Sequence, residues 1–298
     1  MKDLIFGTSI QNRNQNGKER DVMSDNQKLE TNFAGNPEVL YEASSQIAII
    51  TLNRPERMNT ISATMLDALG ACFVQANADP EVRVVVLTGK GRAFCAGLDL
   101  TAQSSGGDEA LLNSERVMTN LDLRNAPPTT LFEMDKPTIC AMNGSAAGYG
   151  LDTALGCDIR IMADNAKMSA AYVKRGIVPE SGGTWFLPRM IGWSRAAEMI
   201  FTGRTLGAQQ CLELGLVSRI VPADRVLEES LGLAREIAAN APLAVQASKR
   251  MMRMGLEESF PTHVHHVFLQ LLPLTRTADF VEGVTSFLEK RQPRFQGR

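Results

Sequence analysis

Residues 138–150 read Thr-Ile-Cys-Ala-Met-Asn-Gly-Ser-Ala-Ala-Gly-Tyr-Gly. The run Thr138–Met142 is continuously apolar where a half-exposed strand would alternate, as expected for a strand buried on both faces of a parallel sheet. The chain then passes through the small residues Asn143–Gly148 and is expected to enter a helix from about Gly150. An earlier stretch has the same design. Val84-Val85-Val86-Leu87-Thr88 is followed by a Gly-containing loop from Gly89 to Gly97, within which Phe94-Cys95-Ala96-Gly97-Leu98-Asp99-Leu100 leaves the strand. Buried strand, small-residue loop and helix, written twice, define an α/β fold.

Around these two units the other elements fall into place. Ile47–Leu52 reads as a strand ended by Asn53-Arg54-Pro55, and Ser62 is suited to cap a helix with Met65, Leu66, Leu69, Phe73 and Ala76 on one face. Asp79-Pro80 closes that helix, and Asp158–Ala163 reads as a third short strand. Beyond about Glu180 the pattern is mostly helical. Leu227, Leu231, Ala234 and Ala238 follow a helical period between Pro222-Ala223-Asp224 and Asn240-Ala241-Pro242. Three segments result: a polar N-terminal extension over 1–37, expected to be mobile because it lacks apolar surface to bury; an α/β core over 38–225; and a helical region over 226–298.

Composition excludes several classes of function. The 298 residues carry 31 Lys+Arg against 33 Asp+Glu, a net charge of −2, so no global field draws in nucleic acid or an anionic membrane. No apolar run approaches the roughly 18–20 residues of a spanning helix, and the short patch Leu4–Phe6 is no signal-peptide core. The five cysteines sit in apolar segments and read as reduced core thiols, which predicts a cytoplasmic protein. His263, His265 and His266 cluster on the sequence, but a helix puts only His263 and His266 on one face and no Cys or acidic set completes a shell, so no metal is expected.

The chemistry is expected at the two strand-ending loops. Ligand crevices of parallel sheets form outside the strand C-termini. Glycine and alanine there admit a ligand to the backbone, and two converging N–H groups can stabilise an enolate oxygen. Asp99 fits a helix cap equally well, and glycine-rich turns also occur without a ligand.

Several segments together resemble the crotonase family of enoyl-CoA hydratases, isomerases and relatives. They are Asn53-Arg54-Pro55 with Asn59, Val84–Gly89, Phe94–Leu100, Lys136–Gly144, Cys157-Asp158-Ile159-Arg160, Gly182-Gly183-Thr184, Thr202-Gly203-Arg204, Leu214-Gly215-Leu216-Val217 and Phe287–Arg291, in that order from about Val39 onward. The resemblance implies a spiral of ββα units with a helical C-terminal part, assembled as a homotrimer or dimer of trimers, and an acyl-CoA thioester as substrate with no separate cofactor. It places the two oxyanion amides at Leu98 and Tyr149, the latter a position where the family commonly has glycine. It places the CoA site along Arg57, Met58, Ala96, Asp99 and Leu100, completed by Phe287 and Lys290 from a late helix; Arg57 and Lys290 are equally ordinary as surface charges.

Hydratases of the family use two glutamates. Asp152 stands at the first position and Tyr172 at the second, and a phenol with a pKa of about 10 is a poor base. Glu180, in Val178-Pro179-Glu180-Ser181-Gly182-Gly183, offers a replacement, in the place of the base of some enoyl-CoA isomerases. Both acids also suit a first helical turn. The acid retained at Asp152 favours hydration of a 2-enoyl-CoA, with isomerisation through Glu180 second. The tyrosine raises a third reading, an acyl-CoA-binding member of the fold without catalysis.

Overall fold

The computed structural model describes residues 31–32, 37–100 and 127–298. Its strands in chain order are β1 (Thr31–Asn32), β2 (Val39–Ser44), β3 (Ile47–Leu52), β4 (Val84–Gly89), β5 (Ala93–Cys95) and β6 (Thr138–Met142). They continue with β7 (Ser145–Ala147), β8 (Ile159–Ala163), β9 (Lys167–Ser169), β10 (Thr205–Gly207) and β11 (Arg219–Val221). One sheet runs β1-β2-β3-β4-β6-β8-β11 and a smaller one β10-β9-β7-β5. The chain gives one strand to each sheet in turn: β4 then β5, β6 then β7, β8 then β9. Pairing is parallel between successive turns, with Leu87 opposite Cys140 in the large sheet and Cys95 opposite Ala146 in the small one. This is the expected spiral, and it stacks the loop after β5 beside the loop after β7.

Every residue of β4 and of β6 is buried, as the continuous apolar runs require. Helix α1 (Ala63–Ala78) starts where Ser62 Oγ accepts from Met65 N at 3.1 Å, and it buries Met65, Leu69, Phe73 and Ala76. Its C-terminal carbonyl Ala76 O accepts from the buried Lys136 Nζ at 2.8 Å. Then come α2 (Pro127–Glu133), α3 (Tyr149–Gly156), α4 (Gly183–Ile191), α5 (Trp193–Thr202) and α6 (Ala208–Glu213). The helical region holds α7 (Val226–Ala238), α8 (Pro242–Met254), α9 (Phe260–Leu274) and α10 (Ala278–Leu288). All five cysteines are free and buried.

Two expectations need correction. The buried stripe of α7 is Val226, Ser230, Ala234 and Ala238, while Leu227 is 39% exposed. The helix packs on β4, β6 and β8, and this rotation puts the smaller side chains against the sheet, allowing close approach. The extension over 1–37 lies mostly outside the described residues, but Thr31–Asn32 pairs antiparallel with Leu40–Tyr41 and so joins the sheet edge.

The loop 53–60 is fixed by one buried side chain. Asn59 Nδ2 lies 2.9, 2.8 and 3.1 Å from the carbonyls of Lys90, Ala93 and Phe94, and its Oδ1 accepts from Arg54 N at 2.8 Å. Both Met58 and Asn59 have positive φ, a conformation that these bonds hold in place. Asn59→Ala leaves buried carbonyls unpaired and is expected to lower unfolding free energy by about 2–3 kcal/mol, read by urea titration; wild-type stability would show that the loop is held by other contacts.

Candidate active site

Two peptide units carry the site. In the first, Gly97 O accepts from Ile61 N at 2.8 Å, and Asp99 N returns to Ile61 O at 3.0 Å. A trans peptide points its C=O and N–H in opposite directions, so the Leu98 N–H faces away from Ile61. In the second, Gly148 O accepts from Asp152 N at 3.1 Å and from the Tyr172 hydroxyl at 2.7 Å, so the Tyr149 N–H faces away from both. Among the described residues neither the Leu98 nor the Tyr149 amide donates to another group of the chain. Each N–H is thus open in front and anchored through its carbonyl behind.

The two loops touch. A Cβ on Gly97 would lie 3.7 Å from Tyr149 N and 3.0 Å from Ala147 O, and one on Gly148 would lie 3.9 Å from Gly97 Cα. Gly97 and Gly148 have φ of +103° and +53°, conformations that glycine adopts without cost. Gly150 is required for a different reason: a Cβ there would meet Cys95 O at 2.3 Å, so the first turn of α3 rests directly on the end of β5.

Asp152 lies in that first turn and is 1% exposed. Tyr172 hydrogen-bonds to its Oδ1, and Ser181 N donates to Oδ2 at 3.2 Å. Burial pushes its pKa up to about 7, although the bonds from Tyr172, Gly183 and Ser181 pull the other way; the charge of Glu180 pushes it up further. Gly183 cannot carry a side chain, since a Cβ would stand 2.4 Å from Asp152 Oδ1. Glu180 sits one residue from Ser181 on an exposed turn, and partial desolvation raises its pKa as well. The buried Tyr149 ring brings its phenol near Cys95, Glu180 and Asp152, and burial together with those groups raises its pKa. Burial and the neighbouring Asp152 raise the Tyr172 pKa as well.

The structure therefore gathers Leu98, Tyr149, Asp152, Tyr172 and Glu180 at one place. It treats the expected CoA residues unevenly. Arg57 and Met58 lie on the exposed turn at 55–58, with Met58 N bonded to Pro55 O and Met58 O accepting from Ala96 N. The backbone polar groups of Met58 are thus taken, leaving its side chain to face outward. Leu100 is exposed. Asp99 is buried and pairs with Arg54 Nη2 at 3.0 Å, so its carboxylate serves the loop rather than a ligand. Phe287, 81% exposed, borders a separate apolar groove with Phe280, Val284 and Phe295, and Lys290 follows just beyond that helix, its N–H bonded to Phe287 O. His263 and His266 approach Glu258 at 3.1 and 2.7 Å, and His265 points elsewhere.

Sequence reasoning missed Arg54, which joins Glu38, Thr60 and Asp99 across the base of the site. It also missed the Ser181 amide. Arg54 stands inside a quoted segment, and a lone Arg before Pro at a strand end could have been read as an internal anchor; a backbone amide leaves no signal.

The sequence profile described as enoyl-CoA hydratase/isomerase matches residues 42–298. A 1,2-epoxyphenylacetyl-CoA isomerase of Escherichia coli K12 is 34% identical over 87% of this chain and 98% of its own. A 2,3-dehydroadipyl-CoA hydratase from the same strain is 35% identical over 88% of this chain and 99% of its own. Among solved structures, an enoyl-CoA hydratase from Bacillus anthracis superposes with a TM-score of 0.81 at 33% identity, covering 88% of this chain and all of the other. Hydratases and isomerases thus share this fold at similar distance, and the chain belongs to the enoyl-CoA hydratase/isomerase, or crotonase, family and is an enzyme of that type.

Proposed function

We propose that the chain shifts the double bond of an enoyl-CoA ester, with the thioester oxygen held by the Leu98 and Tyr149 amides and Glu180 carrying the proton. The supporting observation is the contrast between the two acids. Asp152 is enclosed, with Tyr172 on one oxygen and the Ser181 amide on the other, whereas Glu180 is exposed beside it with a raised pKa. One reachable carboxylate suffices for this reaction. It removes a proton from Cα of a 3-enoyl thioester, the charge moves to the thioester oxygen between the two amides, and the same acid returns the proton to Cγ. The positive end of α3 stabilises the same charge.

Hydration of a 2-enoyl ester is the second reading, favoured by the Asp152 carboxyl, whose pKa of about 7 lets it exchange a proton at neutral pH. Both reactions fall within the family. The exposed turn carrying Arg57 and Met58 supports CoA binding along its outer side, next to Ala96 and Leu100. Helix α9 has no buried residue, and Phe260, Phe268, Phe280 and Phe287 stand exposed along α9 and α10. Such faces support a homotrimer or dimer of trimers, in which Phe287 and Lys290 reach a neighbouring copy's site. Among the described residues no helix is long and apolar enough to cross a membrane, and the buried free thiols support a cytoplasmic location.

Incubation of a 3-enoyl-CoA and of crotonyl-CoA in D2O, followed by mass spectrometry, tests the reading. The expected result is a 2-enoyl-CoA from the first substrate, with deuterium on carbon and little addition of water to the second. Water addition as the main reaction, without a double-bond shift, would establish hydration. Glu180→Gln is expected to lower kcat by roughly a hundredfold to ten-thousandfold while acyl-CoA still binds; unchanged turnover would remove Glu180 from the mechanism.

The ionisation of Asp152 has its own test. Its folded pKa lies above the unfolded value near 3.8, so the folded state holds the extra proton and stability falls as pH rises from about 4 to about 7. Asp152→Asn removes this cost. Its stability relative to wild type is expected to improve across that window by up to about 4 kcal/mol, and a difference independent of pH would show that Asp152 is not buried as described.

A further inference from the structure

The Tyr172 hydroxyl has one proton and two acceptor oxygens beside it, Gly148 O at 2.7 Å and Asp152 Oδ1. If Asp152 is ionised, the proton is drawn to the carboxylate and Gly148 O is left facing an oxygen with no hydrogen between them. If Asp152 is protonated, the chain closes: Asp152 donates to Tyr172 Oη, and Tyr172 donates to Gly148 O. The second arrangement satisfies every oxygen. The far end of this chain is the Gly148–Tyr149 peptide, whose N–H is one of the two open amides. A hydrogen bond to a peptide carbonyl fixes the plane of that peptide and polarises its N–H, making it a stronger donor.

We propose that Tyr172 is a positioning residue that aims and strengthens the Tyr149 amide through Gly148 O, and that it does so only when Asp152 carries a proton. This deepens the reading of Leu98 and Tyr149 as the thioester's hydrogen-bond donors and rests on it. The tyrosine at this position is then part of the machinery for stabilising charge, acting from behind the peptide, and takes no proton from substrate. Asp152 serves as the switch on that support. The pKa of about 7 for Asp152 is consistent with this, because both states are then present near neutrality. The titratable groups facing this chain are Glu180, Tyr149 and Cys95. Tyr149 and Cys95 have pKa values pushed above their ordinary ones, Cys95 to about 12, which leaves Glu180, its own pKa raised by desolvation, as the other carboxyl facing the chain.

The test uses the full chain, butyryl-CoA carrying 13C at the thioester carbonyl, and infrared difference spectra of the complex. Butyryl-CoA has no double bond and is not turned over. In wild type the carbonyl stretch is expected to move to lower frequency on binding; no movement at all would refute the oxyanion reading itself, separately from the role of Tyr172. Tyr172→Phe is expected to lose a large part of the shift and about tenfold in kcat, with Kd for butyryl-CoA changed less than threefold. In a Glu180→Gln background, which removes the competing titration, the shift is expected to shrink as pH rises through about 7. Asp152→Asn in the same Glu180→Gln background is the decisive partner. Its amide can donate to Tyr172 Oη while its oxygen accepts from Ser181 N, so it mimics the protonated acid and is expected to keep the full shift at every pH. Should Tyr172→Phe fail to fold, the pH series and Asp152→Asn carry the test alone. A carbonyl frequency unaffected by Tyr172→Phe, or still pH-dependent in Asp152→Asn, would overturn the proposal.

Discussion

Both open amides of this protein depend on a carbonyl held from behind. Gly97 O is fixed by the Ile61 amide, and Gly148 O by the Asp152 amide and the Tyr172 hydroxyl. A peptide is rigid, so fixing one end directs the other. A side chain at Gly150 would strike the end of β5 and one at Gly97 would crowd Ala147 O, while Gly148 answers to its positive φ, so glycine stands at all three places where the loops meet. The spiral serves to stack one such loop on the next, and the pairing of β5 with β7 sets their separation.

The same principle extends outward. Ile61 is held in place by a loop whose shape depends on Asn59, bonded to the backbone of β5, and on Arg54, bonded to Thr60 O within the loop itself. Arg54 also neutralises Asp99 directly after Leu98, so the negative charge nearest that amide is balanced internally. On the other side, Asp152 is buried to 1% exposure, and desolvation disfavours its charge. Keeping a proton there relieves that cost, and it also completes the hydrogen bonds of Tyr172.

Much of this was legible in the residues. The continuous apolar runs at Val84–Thr88 and Thr138–Met142 gave away fully buried parallel strands, and Ser62 and Asp79 marked the ends of α1, because burial and capping are local in sequence. The ordered motifs identified the family and pointed to Leu98, Tyr149, Asp152 and Glu180, which the structure gathers. What stayed hidden depends on three-dimensional proximity. Nothing in the order of residues says that Tyr172 reaches Gly148 O, that the Ser181 amide bonds Asp152, or that Arg54 occupies Asp99. Along α7 the expected period holds at Ala234 and Ala238, with Leu231 at the edge of the buried face, while Ser230 lies against the sheet and Leu227 stays exposed, because the sheet accepts the smaller side chain. Phe287 matches a family motif, yet within one chain it stands exposed on an apolar groove of the late helices, apart from the loops.

The substitution of a tyrosine for an acid thus need not mean lost chemistry. In the proposed reading Glu180 takes over as proton carrier, and the buried Tyr172–Asp152 pair stands behind Gly148 O, the carbonyl of the Tyr149 amide. The most direct measurement is a crystal structure of the protein with a bound, unreactive acyl-CoA. The account predicts the thioester oxygen within hydrogen-bonding distance of both Leu98 N and Tyr149 N, with the Glu180 carboxylate over the acyl α-carbon. A thioester bound elsewhere, or either amide turned away to bond within the protein, would contradict it.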